Sequence, residues 1–219
     1  MIAGNLKRLR ERIPGEVSLV AVSKLQPISL ILEAYNAGQH IFGENRSREM
    51  LQKIPLLPDD IQWHFIGHLQ TNKVKEVVGN AVLIQSVDRI RLLNAIQVYA
   101  RQLGIIQDIL LQVHIAREDT KHGFSPAELS AVFRLSLPNV RICGLMGMAT
   151  FTDDKELVRN EFRMLRSLFD TFKAGPFAGD QAFVHCSMGM TGDFDIALEE
   201  GSTMVRVGSA IFPPRPQKP

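Results

Sequence analysis

The chain has 219 residues, 45% hydrophobic and 22% charged, which excludes disordered and collagen-like classes and fits one α/β domain better than two. Lys and Arg number 25 against 23 Asp and Glu, and a net charge of +2 is too balanced for a dedicated nucleic-acid binder. No apolar run reaches the roughly 18 residues of a membrane helix and no apolar stretch follows the basic start, so a cytoplasmic protein without membrane attachment is expected.

The first residues, with Lys7, Arg8, Arg10 and Arg12, predict an amphipathic helix with a solvated basic face. Short β-branched runs follow at 17–23, 40–43, 61–67, 81–87, 108–115, 140–147, 181–187 and 203–208. Between them, segments 29–38, 46–54, 71–79, 89–104, 125–137, 155–173 and 194–201 repeat apolar residues at helical spacing. Strands alternating with helices predict βαβ crossovers and a parallel sheet. A doubly wound open sheet gives the same local pattern, but the number of units favours a single-domain (β/α)8 TIM barrel with an extra N-terminal helix. Pro27, Ser125-Pro126 and the Asp153-Asp154 pair stand at expected helix starts, and Gly38, Gly79, Gly104 and Gly201 at expected stops. The barrel domain is placed at 1–212, and the proline-dense 213–219 reads as a disordered tail. Cys143 and Cys186 lack any ligand spacing and read as buried free thiols.

In such a barrel, reactive groups gather at the carboxyl ends of the strands, and phosphate is often held by the loops after the last two. The seventh run ends in Ser187-Met188-Gly189 and the eighth in Gly208-Ser209, so both loops offer a hydroxyl beside a glycine that lets backbone N–H groups approach an anion. Plain turn residues are the alternative for either loop alone. Lys24 ends the first run, LVAVSK, where a partly desolvated amine would favour its neutral, nucleophilic form. A strand-end lysine reaching water is its simpler explanation. Arg206 lies between Val205 and Val207, so the period of two points it opposite them, into the barrel; an ion pair with Glu44 would explain it equally well. An aldehyde for Lys24, a phosphate for Ser187 and Ser209, and a ring nitrogen for Arg206 together describe pyridoxal 5′-phosphate. Arginine keeps its proton, so the ring would be a weak electron sink, suited to racemisation or to plain holding of the cofactor.

These residues carry a resemblance. LVAVSK at 19–24, FGEN at 42–45, WHFIGHLQTNK at 63–73, QSVDR at 85–89, KHGF at 121–124, GLMGMATF at 144–151, SMGMTGDF at 187–194 and GSTMVRVGSAIF at 201–212 resemble, in order and spacing, the pyridoxal phosphate homeostasis proteins. That family is similar to the N-terminal domain of alanine racemase. The resemblance implies that Lys24 forms an imine with the cofactor, that Ser187, Met188, Gly189, Gly208 and Ser209 hold its phosphate, and that Arg206 faces the ring nitrogen. It also implies that Asn45 and His64 line the cofactor, that Met146 packs on the ring, and that amino- and keto-acid pools are affected. Arg46, His114 and His122 depart from the residues commonest in the family.

His64 and His68 have metal-ligand spacing but flank a strand end, so no metal is expected from them. The run Glu161, Arg163, Arg166 reads as a helix surface. A racemase of this kind needs a second base, typically a tyrosine, whereas Tyr35 and Tyr99 fall in predicted helices outside the barrel. The expectation is therefore a monomeric carrier without catalytic residues that gives the cofactor to apo-enzymes; a weak racemase and an imine-forming aldolase are the alternatives.

Overall fold

Branched Val and Ile side chains in the middle of each run favour extended backbone, and burial on both faces is what a parallel sheet under helices requires. The computed structural model describes residues 1–118 and 122–214. The strands are β1 (Ser18–Val22), β2 (Ile41–Glu44), β3 (Gln62–Phe65), β4 (Leu83–Val87), β5 (Gln107–Val113), β6 (Val140–Gly147), β7 (His185–Ser187) and β8 (Met204–Val207). Each pairs in parallel with the next, and β8 closes on β1 with Val20 opposite Arg206. The expected closed barrel is formed.

The helices are α1 (Ile2–Arg10), α2 (Ile28–Asn36), α3 (Ser47–Lys53), α4 (Val74–Val77), α5 (Ile90–Leu103), α6 (Pro126–Val132), α7 (Lys155–Ala174) and α8 (Phe194–Glu199). α1 buries Ile2, Leu6 and Leu9 and turns its basic residues to solvent. Ser125 starts α6 with a capping box closed by Glu128, and Asp154 accepts from the Glu156 and Leu157 amides at the start of α7. Gly38, Gly79, Gly104 and Gly201 adopt positive φ at the stops, which a side chain would resist. Among the described residues no helix is long and apolar enough to cross a membrane. Lys121 of the KHGF segment and 215–219 of the expected tail lie outside the described residues.

α6 ends at Val132, short of the expected 137, and two further elements are shorter than the sequence implies. β7 begins only at His185, because Asp180 turns the chain by accepting from the Ala182 amide at 2.8 Å and Phe183 stacks between Phe169 and Phe177 at 5.0 and 4.2 Å. Residues 71–79 form a 3-10 turn (Thr71–Lys73) and the single turn of α4, since clustered valines lower helix propensity and Gly79 ends it.

Two cores result. The larger lies between strands and helices, and a smaller one inside the barrel contains Val20, Leu83, Leu110, Cys143, Met146 and Met204. Cys143 and Met146 are three residues apart on one strand, yet both face inward. A bulge at Gly144 makes that possible: the β5–β6 register slips between Ile109 and Leu111, Gly144 has φ +148°, and a Cβ there would lie 1.8 Å from His185 O. Both cysteines are buried and free, and burial raises their thiols, to about 11 for Cys143 and about 12 for Cys186.

Candidate functional site

Lys24 leaves β1 one residue past Ser23, in a turn closed by the Gln26 amide on Ser23 O at 3.0 Å. The next residue, Leu25, has φ +61°. Left-handed backbone costs a side-chain-bearing residue about 1–2 kcal/mol, so neighbouring groups must hold the turn. α3 supplies them. Glu49 accepts from the Leu25 amide, and Lys53 Nζ donates to Ser23 O at 2.9 Å, Glu44 Oε1 at 2.7 Å and Glu49 Oε1 at 2.7 Å.

Lys53, the last residue of α3, turns its ammonium inward rather than to solvent. It is buried because Ser23 O and the Glu44 carboxylate at the ends of β1 and β2, with Glu49 one turn back on α3, draw its ammonium inward. Glu44 is fully buried, and burial raises its carboxyl above the usual range although Lys53 and Ser23 oppose the shift. The ion pair of Glu44 with Arg206 does not form; Lys53 and Ser23 take Glu44 Oε1 instead.

Arg206 points into the barrel and is 4% exposed. Among the described residues no carboxylate pairs with it. Its Nη1 donates to Ser187 Oγ at 2.6 Å and its Nη2 to Gly147 O at 3.0 Å. Ser187 Oγ in turn donates to Gln85 Oε1 at 2.7 Å, and Gln85 Nε2 to His64 Nδ1 at 2.9 Å. A chain of four polar side chains thus crosses the interior among the apolar cluster, from β8 through β7 and β4 to β3. Burial lowers Arg206 to about 10. Burial first and His185 second lower His64 to about 3, so its imidazole is neutral and accepts at Nδ1.

Several predicted residues meet at the mouth, and others lie elsewhere. Met146 is buried opposite Ser187 in the β6–β7 register. Asn45 follows β2, and its Oδ1 is buried without a hydrogen-bond partner among the described residues. Gly208 continues β8 beside Val22, two residues before Lys24; its O accepts from Ile211 and Phe212, each at 2.9 Å. In that turn the Ser209 and Ala210 amides have no acceptor among the described residues. Gly189 has φ +97°, and a Cβ there would lie 2.6 Å from Ala197 Cβ, so glycine is needed where the β7 loop packs on α8.

Three of the predicted residues are engaged within the barrel wall. The Ser187 hydroxyl is engaged inside the barrel, not in the loop. Met188 packs its side chain in the outer core and gives its amide to Met204 O at 3.1 Å, so it offers no free donor. His64, 4% exposed, is the β3 end of the chain, one residue before the strand finishes.

Sequence reasoning missed Gln85, whose signal is an amide within the apolar run AVLIQSV, and Glu161. The latter is not on a helix surface: it is buried and accepts from the Thr150 amide and hydroxyl at 2.6 and 2.7 Å, bracing the loop after β6. His64 and His68 do not act together, since His68 pairs with Asp88 near the surface at 3.1 Å.

Comparison with known proteins gives this architecture relatives. Residues 1–216 match the family described as the N-terminal domain of alanine racemase. The chain is 44% identical over 220 residues to the pyridoxal phosphate homeostasis protein of Aquifex aeolicus, covering 94% of this chain and 95% of that one. It superposes on PipY of Synechococcus elongatus, solved without PLP, with TM-score 0.91 at 36% identity, covering 97% of this chain and 100% of that one. Against the same protein with PLP bound the TM-score is 0.86 at 35% identity, with the same coverage. The chain therefore belongs to the pyridoxal phosphate homeostasis proteins, within the alanine racemase N-terminal domain family.

Proposed function

We propose that this chain binds pyridoxal 5′-phosphate at Lys24 and serves intracellular homeostasis of that cofactor, holding it and releasing it to apo-enzymes, as a cytoplasmic monomer whose working domain is 1–212. The cofactor supplies an aldehyde that condenses reversibly with a primary amine, and a phosphate ester that a neighbouring loop can hold. The observation that carries this reading is Arg206, a buried cation that forms no ion pair among the described residues and feels the Asp193 carboxylate only at longer range, one strand from the half-buried Lys24.

The residues present fit such a ligand. Two of the five N–H donors of Arg206 find acceptors among the described residues, which leaves others for a ring nitrogen. Arg206 retains its own proton, so it accepts none from a ligand and gives none. The Ser209 and Ala210 amides and the Ser209 hydroxyl suit phosphate oxygens. Ser187 and Gly189 support that loop by position, and Met146 offers an apolar face to a ring. The orphaned Asn45 Oδ1 awaits a donor, and an unpaired buried acceptor is unfavourable until one arrives.

Holding is favoured over racemisation by the positions of the tyrosines. Tyr35 lies on α2 with its hydroxyl on Asp60 Oδ1 at 2.8 Å, and Tyr99 lies on α5, both in the outer layer. Neither can serve as a base facing Lys24 within one chain. The deciding experiment is borohydride reduction of the protein loaded with pyridoxal 5′-phosphate, followed by peptide mass spectrometry. A pyridoxyl group on Lys24, absent in Lys24→Ala, is expected; a label elsewhere, or none, overturns the reading.

A further inference from the structure

The loops after β3, β4 and β5 bring together three residues that the reading above leaves unused. One nitrogen each from His68 and His122 and a carboxylate oxygen of Asp88 lie within 4.8 Å of one another. His68 Nδ1 stands 3.1 Å from Asp88 Oδ2, and the two imidazoles face each other with centroids 4.4 Å apart and planes 33° from parallel. Asp88 is fixed from behind: its Oδ1 accepts from Arg89, whose Nη2 donates to Leu69 O at 3.0 Å. With its side chain 3% exposed, Asp88 has Oδ2 directed at the imidazoles. The cleft they line also includes Gly123.

We infer that His68, Asp88 and His122 form a binding site for a divalent first-row transition metal ion of the zinc type, with a fourth position open to water or an external ligand. Two imidazoles and a carboxylate form a ligand set that such ions accept. Around a tetrahedral ion with bonds of about 2.0–2.1 Å, ligand atoms stand roughly 3.3 Å apart. His68 and Asp88 already meet that spacing, and His122, on an exposed loop, reaches it by turning its side chain. Arg89 offsets the carboxylate charge, so the two nitrogens carry the affinity, and magnesium or calcium, which need oxygen-rich shells, are poor fits. The spacing of His64 and His68 pointed to the wrong pair; the partner of His68 comes from a distant loop that the barrel closes beside it.

This inference is independent of the cofactor reading, and its test keeps the two apart. Zinc chloride is titrated calorimetrically into the full chain, into His68→Ala, His122→Ser and Lys24→Ala, into His40→Ala, which changes an exposed histidine beside Asp60 outside the site, and magnesium chloride into the full chain. One zinc ion per chain is expected, weakened about tenfold or more in His68→Ala and in His122→Ser and unchanged in His40→Ala and Lys24→Ala. Both ligand changes are at exposed side chains, and circular dichroism verifies that the fold persists. Absence of stoichiometric zinc binding, undiminished affinity in both ligand variants, an equal loss in His40→Ala, or magnesium binding as tight as zinc overturns the proposal.

Discussion

Arg206 Nη1 donates to Ser187 Oγ at 2.6 Å, and this contact sets the direction of the hydrogen bonds beyond it. With its lone pair engaged by a permanent cation, the Ser187 hydroxyl gives its proton to Gln85, whose amide then donates to His64. A cationic His64 would meet the Gln85 N–H group with a second donor, so the polarity of the chain and burial both keep the imidazole neutral.

That neutrality makes stability depend on pH. The folded value of His64 is about 3 against an unfolded 6.5, so below 6.5 the unfolded chain takes a proton the native one refuses. The contribution of His64 is complete above 6.5 and is lost as pH falls toward 3, by about 3 kcal/mol at about pH 4. Urea unfolding at about pH 7 and about pH 4 should show that loss, and His64→Gln, which keeps an acceptor for Gln85, should show a smaller one. Equal pH dependence in the two proteins would refute the role of His64.

Arg206→Met removes a desolvated charge but leaves Ser187 Oγ and Gly147 O without their donor. These effects oppose one another, and the stability change should stay within about 2 kcal/mol. Retention of pyridoxal 5′-phosphate should fall about tenfold or more and its visible absorbance should shift. Wild-type affinity and spectrum would separate Arg206 from the ligand.

Lys53→Met leaves Glu44 buried and uncompensated, which typically costs about 3–5 kcal/mol. Adding Glu44→Met should recover part of the loss, because the orphaned charge is then gone. Denaturant titration of the wild type, both single variants and the double variant measures the coupling; simple additivity would refute the pairing.

At Gly144 an alanine Cβ would collide with His185 O, whereas at Gly104, with φ +66°, it meets open space. Gly104→Ala should cost about 1–2 kcal/mol, from left-handed backbone alone. Gly144→Ala should cost several times more or prevent folding. Equal melting temperatures for the two variants would mean the bulge is dispensable.

Tyr35→Phe and Tyr99→Phe should leave cofactor loading unchanged, and prolonged incubation of the wild type with α-deuterated amino acids should leave the label in place. Washout of deuterium that either tyrosine change abolishes would revive the racemase alternative.

The repeating architecture was legible because each strand is a short β-branched run and each helix a periodic one, and local preference agreed with the global fold. Lys24 is legible as a lysine ending an apolar run and Arg206 as a cation within one. What stayed hidden depends on distance in space. Lys53 reads as one more helix-face lysine until Glu44 and the end of β1 are brought against α3. Ser187 and Ser209 look equivalent in sequence, yet the barrel turns one hydroxyl inward and leaves the other at the rim. The Gly144 bulge reverses the inward-facing phase of β6, and a strict period of two cannot foresee it. His122 finds His68 only because the barrel sets its loops side by side.

The inner cluster of Val20, Leu83, Leu110, Cys143, Met146 and Met204 packs the barrel's interior around the polar chain. A guest held at the strand ends against that packing has one doorway. Arrival and departure must use the same opening, so any recipient that collects the guest directly has to approach from the side by which it came in.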